Sequence, residues 1–382
     1  MKTRSTVFAA TVAAIVLAVS FAAAVSDGSS ADGTGLSQDY YYGQLNADEQ
    51  KIFDRLEGLD LGTVVIKSEP TVGGGTAYYI EVAVSGITKC STEVAGKEAE
   101  NAWVATKLTD PMAWWAWSYD DAGMAVSGVS VSGSEISFRI MMAKQYASEG
   151  AAALKTMVEE TETKISETAE SLGITSSDMT AADKIETVNK YLCGSKFKYD
   201  PAVSSGKSED GNPYNGSVYG AFVNAVDGKH VIVCSGYSAA FQALCMKAGV
   251  KCLSVFGTAA QSSSNGLHAW NVVELYGKVY GVDTTFNATG GDSTAYLCAG
   301  ALTEVGGVTF SQSHQPFTNN NVGSLYMGQF VSYTIEDEGY SWPADETFVT
   351  KMSEYAPWVI VGLICVLLAY VLCSIGRKGD QQ

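Results

Sequence analysis

Histidine and positive charge are both scarce in this chain. Its 382 residues include three histidines, and 24 lysines and arginines stand against 41 aspartates and glutamates. The formal net charge of −17 leaves nothing to neutralise phosphates, which excludes a nucleic-acid surface. An acidic protein lying outside the cytoplasm accounts for such a balance. Cys-x-x-Cys pairs and Cys/His spacings of the zinc-binding kind are absent, so no metal and no cofactor is expected. Charged residues are 17% of the chain against 46% hydrophobic, a balance that supports a packed core.

Both ends carry addresses. Lys2 and Arg4 precede an apolar run over 7–19 and the small residues Ala22-Ala23-Ala24-Val25-Ser26. That is the layout of a secretory signal cleaved after Ala24 or Ser26, with an uncleaved anchor as the alternative. Residues 358–375 form an uncharged apolar run between Pro357 and Arg377-Lys378, with Tyr355 and Trp358 at the interfacial position. Such a run spans a bilayer as a helix, and basic residues stay on the cytoplasmic side. The expectation is a single-pass cell-membrane protein with an extracytoplasmic body and a short cytoplasmic C-terminus. Cys365 and Cys373 fall in the membrane run, leaving Cys90, Cys193, Cys234, Cys245, Cys252 and Cys298 outside. If one of these is a free nucleophile the rest cannot all pair, so few disulfides or a reducing exterior is expected.

Between the ends the pattern changes along the chain. Residues 1–26 read as the signal and 27–44, with Tyr40-Tyr41-Tyr42, as a polar linker. Asn46 and Glu49 have capping-box spacing, and Ile52, Phe53, Leu56 and Leu59 follow at helical intervals. Short alternating runs at 63–67, 77–84, 124–131 and 135–142 make 45–145 a β-rich N-terminal domain. Trp114-Trp115-Ala116-Trp117 would suit sugar stacking, although tryptophans at that spacing more often anchor a core. A connecting helix lies in 146–178, a second domain in 179–342, a juxtamembrane linker in 343–355, the membrane helix in 356–375 and a tail in 376–382. Within the second domain 181–192 reads as a helix with Ile185, Val188 and Leu192 on one side. Two glycosylation sequons occur, Asn215-Gly216-Ser217 and Asn287-Ala288-Thr289.

The chemistry-bearing residues cluster in 231–286. Cys234 follows Val231-Ile232-Val233 and opens a helical pattern in which Phe241, Leu244 and Ala248 recur until Gly249 stops it. A thiol at a helix N-terminus faces unpaired N–H groups and the positive end of the dipole, which favour the thiolate and can hold an oxyanion. His268 opens an apolar run, Tyr276-Gly277-Lys278 contains a turn, and 279–286 returns as a partner strand. With an even-length turn, His268 lies opposite residue 285 or 287 and Asp283 sits diagonally on the same face; an odd turn without a bulge reverses this. Nucleophile, base and orienting carboxylate are then Cys234, His268 and Asp283. His230 reads as exposed. His314, in Ser313-His314-Gln315-Pro316, competes as base but lacks a carboxylate nearby in sequence.

Three stretches carry a family resemblance: Val-Cys-Ser-Gly-Tyr-Ser-Ala-Ala-Phe at 233–241, His-Ala-Trp-Asn at 268–271 and Gly-Lys-Val-Tyr-Gly-Val-Asp-Thr-Thr at 277–285. They resemble the transglutaminase-like superfamily, particularly its microbial extracytoplasmic members, over about 180–314. The resemblance implies an α+β fold with a papain-like core, a Cys helix packed on an antiparallel sheet carrying His and Asp. It also implies that 179–342 is a catalytic domain with Cys234 as nucleophile, His268 as base and acid and Asp283 as orienter. Phe286 stands where the family usually has tryptophan, and the turn before Cys234 is slightly longer than usual. Tyr219 is the expected second oxyanion donor beside the Cys234 N–H. The expected substrate is a protein or peptide, including proteins of the cell envelope. Hydrolysis, deamidation and lysine crosslinking all remain open, as does a silent surface-binding module that retains the triad.

Overall fold

The computed structural model describes residues 36, 40–116, 124–204, 211–260, 266–317 and 333–342. Those up to Gly339 form one compact unit, and Tyr340 to Trp342 belong to another. The expected signal at 1–26, the juxtamembrane segment at 343–355, the membrane helix at 356–375 and the tail at 376–382 lie outside the described residues. Among the described residues no helix is long and apolar enough to cross a membrane.

The first helix, α1 (Ala47–Glu57), starts where its capping box places it: Asn46 accepts from the Glu49 N–H and the Glu49 carboxylate accepts from the Asn46 N–H. Strands β1 (Lys67–Pro70), β2 (Thr76–Ser85), β3 (Val126–Ser132) and β4 (Glu135–Met142) form an antiparallel sheet in the order β1-β2-β4-β3. The stretch expected to be β-rich also contains a long helix, α2 (Thr92–Thr109), started by the Ser91 hydroxyl accepting from the Val94 N–H. Its buried face is Ala95, Ala99, Ala102, Ala105 and Leu108, all at 0% exposure. Alanine gives little hydrophobic contrast, which is why the helical period was invisible in the sequence. A short 3-10 helix, Pro111–Ala116, buries Trp114 and Trp115, and Trp114 stacks edge-on to Tyr146 at 4.4 Å. These two are core anchors with no face left for a sugar; Trp117 lies outside the described residues.

Helix α3 (Ala151–Ser171) and helix α4 (Ala181–Leu192) follow, the latter with a Thr180/Asp183 capping box and Ile185, Val188 and Leu192 buried. Strand β5 (Phe197–Tyr199) pairs in parallel with β6 (His230–Ile232), and the short α5 (Val218–Phe222) lies between them in sequence. Helix α6 (Cys234–Lys247) then precedes β7 (Cys252–Ala259), β8 (Leu267–Leu275) and β9 (Lys278–Val282). A one-turn helix, α7 (Thr284–Thr289), a small hairpin of β10 (Glu304–Val305) and β11 (Val308–Thr309), a turn α8 (Phe310–Ser313) and β12 (His314–Pro316) complete the described fold. The second sheet is antiparallel, in the order β12-β7-β8-β9.

Buried polar groups fix α6 to this sheet and to the N-terminal half. Ser238 Oγ reaches Ser254 Oγ and the Trp270 carbonyl, both at 2.9 Å, and Ser254 Oγ donates to Gln242 Oε1 at 2.7 Å. Gln242 Nε2 in turn donates to the Leu108 carbonyl at 2.8 Å, at the end of α2. Each would cost free energy if left unpaired in the interior, so together they specify one seating of α6. Tyr41, expected in a linker, is buried and donates its hydroxyl to the Ser254 carbonyl at 3.1 Å.

Candidate active site

Cys234 opens α6 behind Val233, which supplies no side-chain cap, so the first N–H groups of the helix face the approach to the thiol without a capping side chain. The chain is drawn in before it: Val233 N–H donates to the Asn215 carbonyl at 2.9 Å. A Cβ on Gly236 would collide with that same carbonyl, so glycine is required there. Cys234 is half-buried and free; the other five cysteines expected outside the membrane run are free too, Cys90 and Cys193 half-buried and Cys245, Cys252 and Cys298 buried.

His268 reaches the site through the hairpin. Leu275 pairs with Lys278, leaving a two-residue turn of Tyr276 and Gly277 with φ of 54° and 78°. Continuing the even parity puts Asp283 on the His268 side. The strand itself ends at Val282: Asp283 caps α7, its Oδ1 accepting from the Phe286 N–H at 2.9 Å, so 283–286 is not the strand continuation the sequence suggested. Its Oδ2 accepts from His268 Nε2 at 2.7 Å. That leaves Nδ1 for the Cys234 side chain, which hydrogen-bonds to the ring. Phe286, in the place of the expected tryptophan, stacks on His268 at 4.5 Å and 19°.

The electrostatics follow from this geometry. Burial alone would lower the His268 imidazole, but the Asp283 charge and hydrogen bond, then Cys234, outweigh it and raise the ring to about 10. Burial would likewise raise Asp283, yet His268 and His314 together hold the carboxyl well below its usual range. His314 overturns its sequence reading: its Nε2 also donates to Asp283 Oδ2, at 2.9 Å, so it does have a carboxylate. It is delivered by β12, whose pairing of His314 with Ala259 on β7 is too distant in sequence for a local pattern to reveal.

The remaining candidates have other partners. His230 is half-buried, with Nδ1 near the carbonyls of Gly220 and Asn224 at 3.2 and 3.3 Å. The Tyr219 ring sits in a cluster with Trp114 and Tyr214, and among the described residues no hydrogen bond joins it to Cys234, His268 or Asp283. Asn287 is buried, its amide bonded to Asn189 Oδ1 and its Oδ1 to the Tyr296 N–H, which leaves no room for a glycan in the folded protein. Asn215 donates its amide to Asp200 Oδ2 at 2.8 Å.

His268, Asp283 and His314 bring three possible metal-ligand atoms within 4.8 Å of one another. Both imidazoles already donate to the same carboxylate oxygen, so the cluster is satisfied by hydrogen bonds without a cation. Chemically, a half-exposed thiol, a buried base and a buried carboxylate in one line suit nucleophilic attack and proton transfer.

Comparison with known proteins bears on the same residues. A crystal structure of a TGase matches at 12% identity with a TM-score of 0.27, covering 42% of this chain and 45% of that one, a likeness too slight to carry an argument. The chain thus spans less than half the length of that protein. No curated protein matches. The model of the transglutaminase-like superfamily, however, matches residues 168–283, from the end of α3 to the carboxylate of the site.

Proposed function

We propose that this protein is a thiol enzyme that forms an acyl-enzyme on Cys234 from peptide or carboxamide carbonyls. The observation that carries the reading is the single line from the half-exposed Cys234 through His268 to the buried Asp283. In this scheme the Cys234 proton rests on His268 Nδ1, and Asp283 holds the ring by Nε2 and balances its charge. The thiolate adds to the carbonyl carbon, and the oxygen takes the negative charge beside the Cys234 N–H at the start of α6. As the C–N bond breaks, His268 returns the proton to the departing ammonia or amine, leaving a thioester. Water then regenerates acid and thiol, whereas a lysine amine gives an isopeptide crosslink. We place the site outside the membrane, anchored by 356–375 with 376–382 in the cytoplasm, acting on proteins or peptides of the cell envelope.

The test is the rate of iodoacetamide labelling of Cys234 against pH in the full-length protein. Fast labelling well below the ordinary thiol value of about 8.5 is expected, lost in Cys234→Ala and slowed in His268→Ala. Slow labelling indifferent to His268 would reject the enzyme and favour a surface-binding module that retains the triad.

A further inference from the structure

Among the described residues the Asp283 carboxylate has three donors: the Phe286 N–H on Oδ1, and the Nε2 atoms of His268 and His314 on Oδ2. We propose that His314 is a positioning residue, holding Asp283 Oδ2 from a second direction so that the carboxylate keeps His268 aimed at Cys234. The working unit is then Cys234–His268–Asp283–His314. This rests on the reading of Cys234 and His268 given above.

The seat of His314 is built, and several elements contribute to it. The ring is 3% exposed and lies flat on Phe310, with centroids 4.1 Å apart and planes at 9°. Two glycines make the seat possible. A Cβ on Gly281 would enter the Phe310 ring, and a Cβ on Gly257 would strike the Gln315 carbonyl and the Trp270 ring. The first glycine admits the ring beneath His314; the second lets β12 lie against β7. His314 also falls beyond the stretch that matches the transglutaminase-like superfamily, so it is a contribution of this chain's later segment to the site.

Proton counting shows what the second imidazole does. Ser313 Oγ lies 2.7 Å from His314 Nδ1 and 3.0 Å from the Phe310 carbonyl, and it has one proton to give. If the hydroxyl donates to Nδ1, the ring is neutral and Nε2 carries its proton. If it donates to Phe310, Nδ1–H donates to the serine oxygen; a bare Nε2 lone pair would then face the Asp283 carboxylate, so Nε2 keeps its proton and the ring is a cation. In both states an N–H points at Asp283, so the hold on the carboxylate is independent of the charge of His314. Without that donor a lone pair of a fully buried carboxylate is bare, and the carboxylate turns away from the geometry that aligns His268.

The experiment compares the pH profile of Cys234 alkylation in full-length wild type, His268→Ala, His314→Leu and His314→Gln, with thermal melting followed by circular dichroism. A folded His314→Leu is expected to lose labelling below neutral pH on the order of ten-fold, with its profile moved towards that of an ordinary thiol. His314→Gln, which keeps an N–H donor, should recover most of the loss. A folded His314→Leu that superposes on wild type, while His268→Ala remains slow, overturns the role of His314 alone. Slow wild-type labelling indifferent to His268 overturns the site reading and this inference with it. If His314→Leu does not fold, nitrogen-15 histidine spectra of an otherwise wild-type protein in a His230→Asn background decide: solvent-protected Nε2–H signals, told from Nδ1 by their couplings to the ring protons, are expected from both His268 and His314, and a protonated Nε2 on His268 alone overturns the proposal.

Discussion

Along β2 from Ile80 to Ser85 buried residues alternate with exposed ones, and along β3 after Val126 half-buried residues alternate with exposed ones, whereas β8 is buried without a break from His268 through Val273 and β9 from Val279 to Val282. The first sheet keeps one face open to water, as antiparallel sheets commonly do. The second is covered on both faces, and the site lies in it. The difference teaches where a polar side chain becomes chemically potent: His268, Asn271 and Asp283 are shielded from solvent that would otherwise screen their charges and compete for their hydrogen bonds.

That contrast can be tested by substitution. The largest effect on stability is expected at Trp270, whose ring is 2% exposed and fills the space that Gly257 leaves open. Trp270→Ala should cost about 3–5 kcal/mol in denaturant unfolding. A loss under 1 kcal/mol would mean that the second sheet is not packed on both faces.

An intermediate effect separates the halves by pH. With its carboxyl lowered from 3.8, Asp283 stabilises the fold above about pH 4, and that contribution is lost as pH falls through the lowered value. His268, raised from 6.5 to about 10, expresses the same ion pair from the other side: stability is full below about 6.5 and fades as pH climbs through 10. Asp110, at the end of α2, works in the opposite sense. Burial, helped by Glu162 and opposed by the Met112 N–H, pushes it from 3.8 to about 6, so the folded protein holds that proton more tightly than the unfolded chain. Folding is therefore penalised as pH rises from about 4 through 6. Asp110→Asn is expected to add on the order of 1–2 kcal/mol at pH 8 and nothing near pH 3. Equal gains at both would refute the burial account.

The smallest effect is expected on the open face of the first sheet. Ser130 meets Ser137 across β3 and β4 at 2.8 Å, exposed to water. Ser130→Ala should stay within about 0.5 kcal/mol of wild type. A larger loss would show that this face is covered by something in solution.

What the sequence made legible was local. Asn46 with Glu49, Ile185 with Val188 and Leu192, and Tyr276-Gly277 all act within a few residues, and each element stands where its signal put it. Hairpin parity even carried His268 to within a hydrogen bond of Asp283. Three features escaped. Helix α2 hid behind alanine, Asp283 looked like strand because its capping bond forms only when the chain turns at Thr284, and His314 meets Asp283 through pairing of β12 with β7. The first lacks contrast, and the other two depend on contacts that local periodicity does not encode. Glycines at 257 and 281, each inside a strand-like run, were the available hint that something presses close there.

The Gln242 side chain ties α6 to the end of α2, and the Tyr41 hydroxyl ties the far end of the chain to β7. Both partners lie outside residues 168–283, so the stretch that matches the superfamily model is shorter than what holds the Cys234 helix in place. Transplanting only the matched segment into another scaffold would carry Cys234, His268 and Asp283 but leave behind these two moorings and His314. A graft that means to move the whole arrangement must bring residues 41, 108 and 314 along, or supply a hydroxyl, a carbonyl and an N–H donor in their stead.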